Sequence, residues 1–208
     1  MNKITIFIII CFVCFSCNKQ KDEDQILKSP IYETEDFAIE FSLLDDNGNS
    51  VTKFKEGENI HFYFSLKNLS EEEIILKASH LFPNDFFMVY DEKNNEVGKP
   101  WLSYYCQFVF RPQIFKIQQG DTKIFCLPWI INDMDEWDEA TSSPNSNPFC
   151  LCIGCTEPLK VGEYSSKFSI DLEYNIGGEH KAGTLAETIG GKEKRINDLF
   201  FKINFKVE

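Results

Sequence analysis

The chain has 208 residues, 43% hydrophobic and 26% charged, a balance that suits one globular domain with an appendage and argues against a disordered or fully membrane-embedded chain. Its 33 acidic residues against 21 basic ones give a formal charge of −12, or −13 without residues 1–16, whose only charge is Lys3. Such a surface repels phosphate backbones, and the densest basic stretch, Gly191 to Arg195, is interrupted by Glu193, so no nucleic-acid partner is expected. Twenty Phe and seven Tyr against three Met favour strands, whose pleated, half-buried surfaces are well filled by flat rings.

The first element is an apolar run from Ile4 to Phe15 behind Lys3. Twelve helical residues span roughly 18 Å, short of the ~30 Å hydrocarbon core, so the run reads as the apolar region of a secretory signal rather than a membrane span. It ends in Phe15, Ser16 and Cys17. Ser16 is the small residue that resembles the cleavage position of a bacterial lipoprotein lipobox, whereas Cys11 follows Ile10 and Cys14 follows Val13; Cys14 occupies a place where that pattern usually has Leu. The resemblance implies that residues 1–16 are removed and that Cys17 becomes the lipidated N-terminus, carrying a diacylglycerol thioether and an N-acyl chain such as palmitate. Several acyl chains anchor stably where one would be marginal. Lys21, Asp22, Glu23 and Asp24 then resemble the export signal of Bacteroidota surface lipoproteins, which implies the outer face of the outer membrane, with the periplasmic face as the alternative. Residues 17–34 are polar, contain Pro30, and read as a flexible tether.

From residue 35 the chain alternates. Phe37, Ile39, Phe41 and Leu43 share one face, followed by turn chemistry in Asp45, Asn47, Gly48 and Asn49. After a short segment at 51–54, Ile60, Phe62, Phe64 and Leu66 form a second inward face. The run at 74–78 and a strand, turn and return within 86–98 follow. Further strands are expected at 104–110, 123–130, 164–174 and 199–207, the last placing Leu199, Phe201, Ile203, Phe205 and Val207 inward. No comparable window has helical spacing, so the domain at 35–208 is expected to be an all-β, immunoglobulin-like antiparallel sandwich of about seven to nine strands. Two long loops stand outside this rhythm, an acidic one at 131–160 and a Gly-rich one at 175–196, the latter a mobile hairpin or a short helix around Leu185.

The positions Gly57, Glu58, Asn68, Ser70, Asp85, Gly120, Trp129, Gly162 and Tyr164 carry a resemblance to the immunoglobulin-like BsuPI family of proteinase inhibitors. Its matching segments fall between about residues 54 and 174, and both odd loops stand outside them. It implies the sandwich; because its motifs are turn glycines, a bend asparagine and core aromatics, it bears on scaffold more than on activity.

With Cys11 and Cys14 lost and Cys17 lipidated, five cysteines remain. Export favours disulfides, and Cys106 with Cys126 are the candidate pair, on strands close enough to be neighbours. The cluster Cys150, Cys152 and Cys155 reads as a loop pinned by a local disulfide, with a soft-metal site the alternative; since a closed zinc site usually draws on two separated pairs, no metal or other cofactor is expected. The five carboxylates in residues 132–140 lack the glycine and bidentate glutamate of an EF-hand. His61, His80 and His180 are the only histidines, and no strained nucleophile turn accompanies them, so no catalytic residues are assigned and the protein is not expected to be an enzyme. The expectation is a lipid-anchored cell-envelope binding module that presents its two long loops to a protein or glycan. Its acidic surface predicts a basic partner patch. The alternatives are an extracellular proteinase inhibitor and an immunity-type lipoprotein that neutralises a toxin.

Overall fold

In the computed structural model, residues 30–77, 81, 83–100, 114–130, 157–184 and 186–208 are described. Within them every regular element is a strand: β1 (Ile31–Glu33), β2 (Phe37–Leu44), β3 (Lys53–Phe54), β4 (His61–Asn68), β5 (Ile74–Lys77), β6 (Val89–Asp91), β7 (Glu96–Gly98), β8 (Ile114–Ile117), β9 (Thr122–Pro128), β10 (Gly162–Ile176), β11 (Glu179–His180), β12 (Thr188–Ile189) and β13 (Lys192–Val207). The sequence expectation of an all-β, immunoglobulin-like sandwich is met. The strand number exceeds seven to nine because β1, β3, β6, β7, β11 and β12 are only two or three residues long, too short to alternate visibly.

One layer has the order β1-β2-β4-β9; the other has β3-β13-β10-β5-β8, with the β6–β7 hairpin paired to β10 as well. All pairs are antiparallel except β3 beside β13. The predicted inward faces meet between the layers, where Phe37, Ile39, Phe41, Phe62, Phe64, Phe168 and Phe201 are all fully buried. Their rings interlock edge to face: Phe41 lies 4.9 Å from Phe168, and Phe64 5.5 Å from Phe201. Phe86 and Phe87 are consecutive yet both buried. Extended backbone would point them to opposite faces. The left-handed φ of 63° at Phe87 turns both into the core, a local strain that aromatic burial offsets.

Three features differ from the sequence expectation. Ile31–Glu33, within the stretch read as tether, pairs with β2 as an edge strand. About half of residues 175–196 are strand, since β10 reaches Ile176 and β13 begins at Lys192; the ribbon β11–β12 lies between, which matches the hairpin alternative among the described residues. Strand β13 stays paired over this length through a bulge: Ile170 opposes Leu199 and Leu172 opposes Ile196, so Asn197 and Asp198 together face the single Asp171. Asp198 has φ 56°, and Asp171 Oδ1 accepts its N–H at 3.0 Å. The strand expected at 104–110 lies outside the described residues.

The layers are tied at one end by a polar knot. Asp36 is 5% exposed, and its Oδ2 accepts hydrogen bonds from the Tyr174 hydroxyl and from Lys194 Nζ, both at 2.7 Å. Asp36 precedes β2, whereas Tyr174 and Lys194 stand opposite each other on β10 and β13, so a single carboxylate joins the two sheets.

Candidate functional site

The register of β10 fixes two ends of the sandwich. Gly162 pairs with Val207 at one end and Ile176 with Lys192 at the other, roughly 45 Å away for a strand of this length. The near end gathers the turn at 45–49, the hairpin turn at 91–95, Trp129 and Ile130 before residues 131–156, and Glu157–Lys160 after them. The far end holds the bend at 68–73, the turn at 118–121 and the β11–β12 ribbon. The mouth of the 131–160 loop, at residues 130 and 157, and the β11–β12 ribbon of the 175–196 loop therefore lie at opposite ends of the described strands.

The mouth of the insertion is clamped on both sides. Asn59 Nδ2 donates to Ile130 O at 2.9 Å, and Asn59 Oδ1 accepts from Ile130 N at 2.8 Å, so one amide closes the ladder beyond β4 as a backbone unit would. Trp129 N donates to Ile60 O at 2.7 Å, and the Trp129 indole N–H donates to Glu157 O at 3.1 Å, holding the returning chain against the departing one. Trp129 is 2% exposed and packs 5.9 Å from Phe62.

Beside this mouth lies a cleft of about 510 Å³ with an apolar floor of Val97, Trp129, Pro158, Leu159 and Tyr164. Val97 is 43% exposed. Tyr164 folds back so that its hydroxyl donates to Lys160 O, 2.9 Å away and four residues upstream, while its ring stacks on Phe205 at 5.6 Å. A tyrosine opening a strand and bonding its own upstream backbone is the tyrosine corner of immunoglobulin-like domains. Gly162 permits it, since a Cβ there would meet the Tyr164 hydroxyl at 3.3 Å. Burial, and then the charge of Asp91, raise the Tyr164 phenol above its ordinary pKa, which keeps it a donor. The charged groups on the rim are Asp91, Glu157 and Lys160. Asp91 is itself committed: its Oδ1 accepts from Lys93 N at 2.9 Å and Asn95 N at 2.7 Å, and its Oδ2 from Asn95 Nδ2 at 2.8 Å. These bonds, the side-chain one with Asn95 foremost, lower its pKa.

The same turn occurs twice. Asp45 Oδ1 accepts from Asn47 N at 2.9 Å and Asn49 N at 2.8 Å, and Oδ2 from Asn49 Nδ2 at 3.0 Å, with left-handed Gly48 standing where Asn94 stands in the second copy. The carboxylates are spent on backbone N–H groups, so both segments are Asx-type hairpin turns, in keeping with a hairpin reading of residues 45–50. No three His, Cys, Asp or Glu side chains converge as a cation site among the described residues.

The other positions of the resemblance also take scaffold roles. Gly57 and Gly120 have φ of 87° and 77° at turns, and Glu58 accepts from Lys55 N at 2.8 Å. Asn68, 1% exposed, donates to Glu72 O at 2.8 Å and Ile117 O at 2.9 Å while accepting from Ser70 N at 2.8 Å, which binds three far-end segments together. Asp85 O accepts from Met88 N at 2.8 Å in the turn that leads into β6.

Cys126 sits on the outer side of β9, opposite Tyr63. Its thiol is free, and burial pushes its pKa up to about 11, so it is a neutral, poorly nucleophilic thiol at neutral pH. The expected bridge from Cys106 to Cys126 thus finds no support. Cys106 lies outside the described residues, as do Cys150, Cys152, Cys155, the acidic run 132–140 and His80. Cys17 and the segment Lys21, Asp22, Glu23 and Asp24 lie outside them too. His61 Nε2 is 3.0 Å from Asp46 Oδ1 at the exposed end of β4, and His180 Nε2 is 3.1 Å from Thr184 O within the ribbon; the two belong to opposite ends. Asn59 and the cleft were invisible to sequence reasoning, because nothing local marks Asn59 as a partner of a residue 71 positions away.

No protein-family model matches the chain, and no curated protein matches it.

Proposed function

We propose that the chain is the non-enzymatic binding module of a lipid-anchored cell-envelope protein and that it engages a protein or glycan partner at its insertion end. The carrying observation is the clamped mouth: Asn59, Trp129 and Glu157 fix both sides of residues 131–156 beside the apolar cleft of Val97, Leu159 and Tyr164. Rigid scaffold ends that flank a long loop beside an apolar, partly exposed floor are a common layout for recognition. The floor supplies burial, and Asp91, Glu157 and Lys160 supply a polar rim that selects among partners. Photocrosslinking amino acids placed at Val97 and at Ile189, in separate chains expressed in the native host, test this reading. Adducts from Val97 and none from Ile189 are expected. Equal labelling, or adducts from Ile189 alone, would contradict it.

The inhibitor alternative draws on the same clamped insertion, which a protease would meet as a held loop. The mature protein mixed with serine and cysteine proteases separates the two: inhibition with the insertion uncut supports the inhibitor, and cleavage within the insertion without inhibition removes it.

A further inference from the structure

We propose that the outer face of the β10–β13 sheet, at its insertion end, holds a neutral glycan, an inference that rests on the binding-module reading and names the chemical class of its partner. A groove of about 500 Å³ runs there, with β10 and β13 as its floor, the turn from Asp91 to Asn94 as one wall, and Thr52 and Lys53 as the other. The floor is a ladder of polar rungs. Glu163 opposes Lys206, and Ser165 opposes Asn204 one rung on, about 7 Å along the strands.

The charge balance of the lining narrows the occupant. Lys53, Lys202 and Lys206 stand with Asp91, Glu92 and Glu163, three of each sign, in a chain whose formal charge is −12. An ion of either sign gains no net attraction from such a surface, and it would give up hydration to enter. A neutral ligand has no ionic hydration to lose. Between the charges lie Thr52, Ser165 and Asn204, whose side chains have no partner among the described residues. A hydroxyl both donates and accepts, and a carboxamide supplies one group of each kind, so these three can meet sugar hydroxyls in either sense.

Asp91 and Tyr164 line both this groove and the cleft of about 510 Å³ beside the insertion mouth, so the two hollows adjoin as one trough. The cleft adds Glu157 and Lys160, one more charge of each sign, and the balance holds. It also supplies apolar surface. The C–H face of a sugar ring can lie on Val97, Leu159 and the Tyr164 ring while the remaining hydroxyls meet the polar rungs. A protein partner suits the trough less well, because a protein interface centres on a desolvated apolar pocket, and here the larger floor is polar.

The mature chain, held in detergent, is applied to arrays of neutral, sialylated and sulfated oligosaccharides. Neutral oligosaccharides should bind, with an affinity that changes less than about twofold between low and high salt. Binding confined to the sialylated or sulfated ligands, or a steep salt dependence, would overturn the proposal. Binding to no oligosaccharide would also overturn it, and Val97 adducts with a protein would then leave the binding-module reading standing; with no Val97 adducts either, both fall. Ser165→Ala with Asn204→Ala removes two side chains that hold nothing in the described fold, so the variant should melt as wild type does and bind the neutral oligosaccharide about tenfold more weakly. Undiminished binding by this variant would place the sugar elsewhere and refute the groove.

Discussion

Replacing Asn59 with Ala removes the amide that closes the mouth of the insertion. Three hydrogen bonds go: to Ile130 O at 2.9 Å, from Ile130 N at 2.8 Å and from Ile60 N at 3.0 Å. Ile130 is 6% exposed and Ile60 1%, so water reaches the orphaned groups poorly. A buried polar group left without a partner costs ~1–3 kcal/mol, and with partial relaxation the three together should cost about 2–5 kcal/mol. That is a large part of the ~5–15 kcal/mol that holds a typical domain folded. Urea unfolding should show a lower midpoint with an unchanged slope. Limited proteolysis should cut near residue 130 before the sandwich melts, because the clamp is local. Asn59→Asp sharpens the test: it keeps an acceptor for Ile130 N and Ile60 N but sets a carboxylate against Ile130 O. It should be destabilised at neutral pH and recover when the carboxyl is protonated in acid. A loss under ~0.5 kcal/mol in the alanine variant would refute the view that this amide fixes the insertion.

The Gly-rich ribbon is built around Asn175, whose Oδ1 would lie 2.1 Å from a Cβ at Gly191, where φ is 66° and Gly178 N and Ile176 O also stand 2.5 Å away. Gly191→Ala should therefore destabilise well beyond the ~1–2 kcal/mol left-handed penalty, whereas Gly183→Ala, at φ +83° with open space around it, should cost only that penalty; hydrogen exchange in residues 177–191 distinguishes them. Lys194 has its pKa raised above 10.5 by its bonds to Asp36 and Glu35, and burial with the Asp36 hydrogen bond raises Tyr174 above 10. Both contributions are complete below the unfolded-state values and vanish as pH climbs through the folded ones, so stability should fall steeply above about pH 10 and less steeply in Asp36→Asn, as read by thermal melts across pH. Cys126, pushed to about 11 by burial, should resist iodoacetamide in the native protein at pH 8 and react promptly once urea unfolds it; rapid native alkylation would contradict the placement of its thiol.

Alternation was legible where one face is buried and the other wet. Phe37 to Leu43 and Leu199 to Val207 announce their inward sides, and those sides form the core. The period fails between Ile196 and Leu199, where two bulge residues shift the phase, and the outer end of β13 around Lys192 to Arg195 has no apolar side chains to display a face. Strand β8 is four residues long and gives no signal of its own. The Gly-x-Tyr and Asn-x-Ser positions could be picked out as motifs, but their work became visible only with partners in place: Tyr164 bonding Lys160, and Asn68 bonding Glu72 and Ile117. Long-range pairings were beyond reach. Asp36 and Tyr174 are separated by 138 residues, and nothing near either one names the other. The same limit hid that the chain leaves for residues 131–156 at the end opposite the β11–β12 ribbon, since that follows from β10 running the full height of the sheet.

The proposed place of work is outside the cytoplasm, on a lipid tether at Cys17. Proteolytic shaving of intact cells, with mass analysis of the membrane-retained N-terminal peptide, tests this directly. The predicted result is release of the sandwich, cut after the lipidated residue and before Pro30, together with a retained peptide that begins at a triacylated Cys17. A chain that resists shaving until the cells are lysed, with an unmodified Cys17 still joined to Ser16, would contradict it.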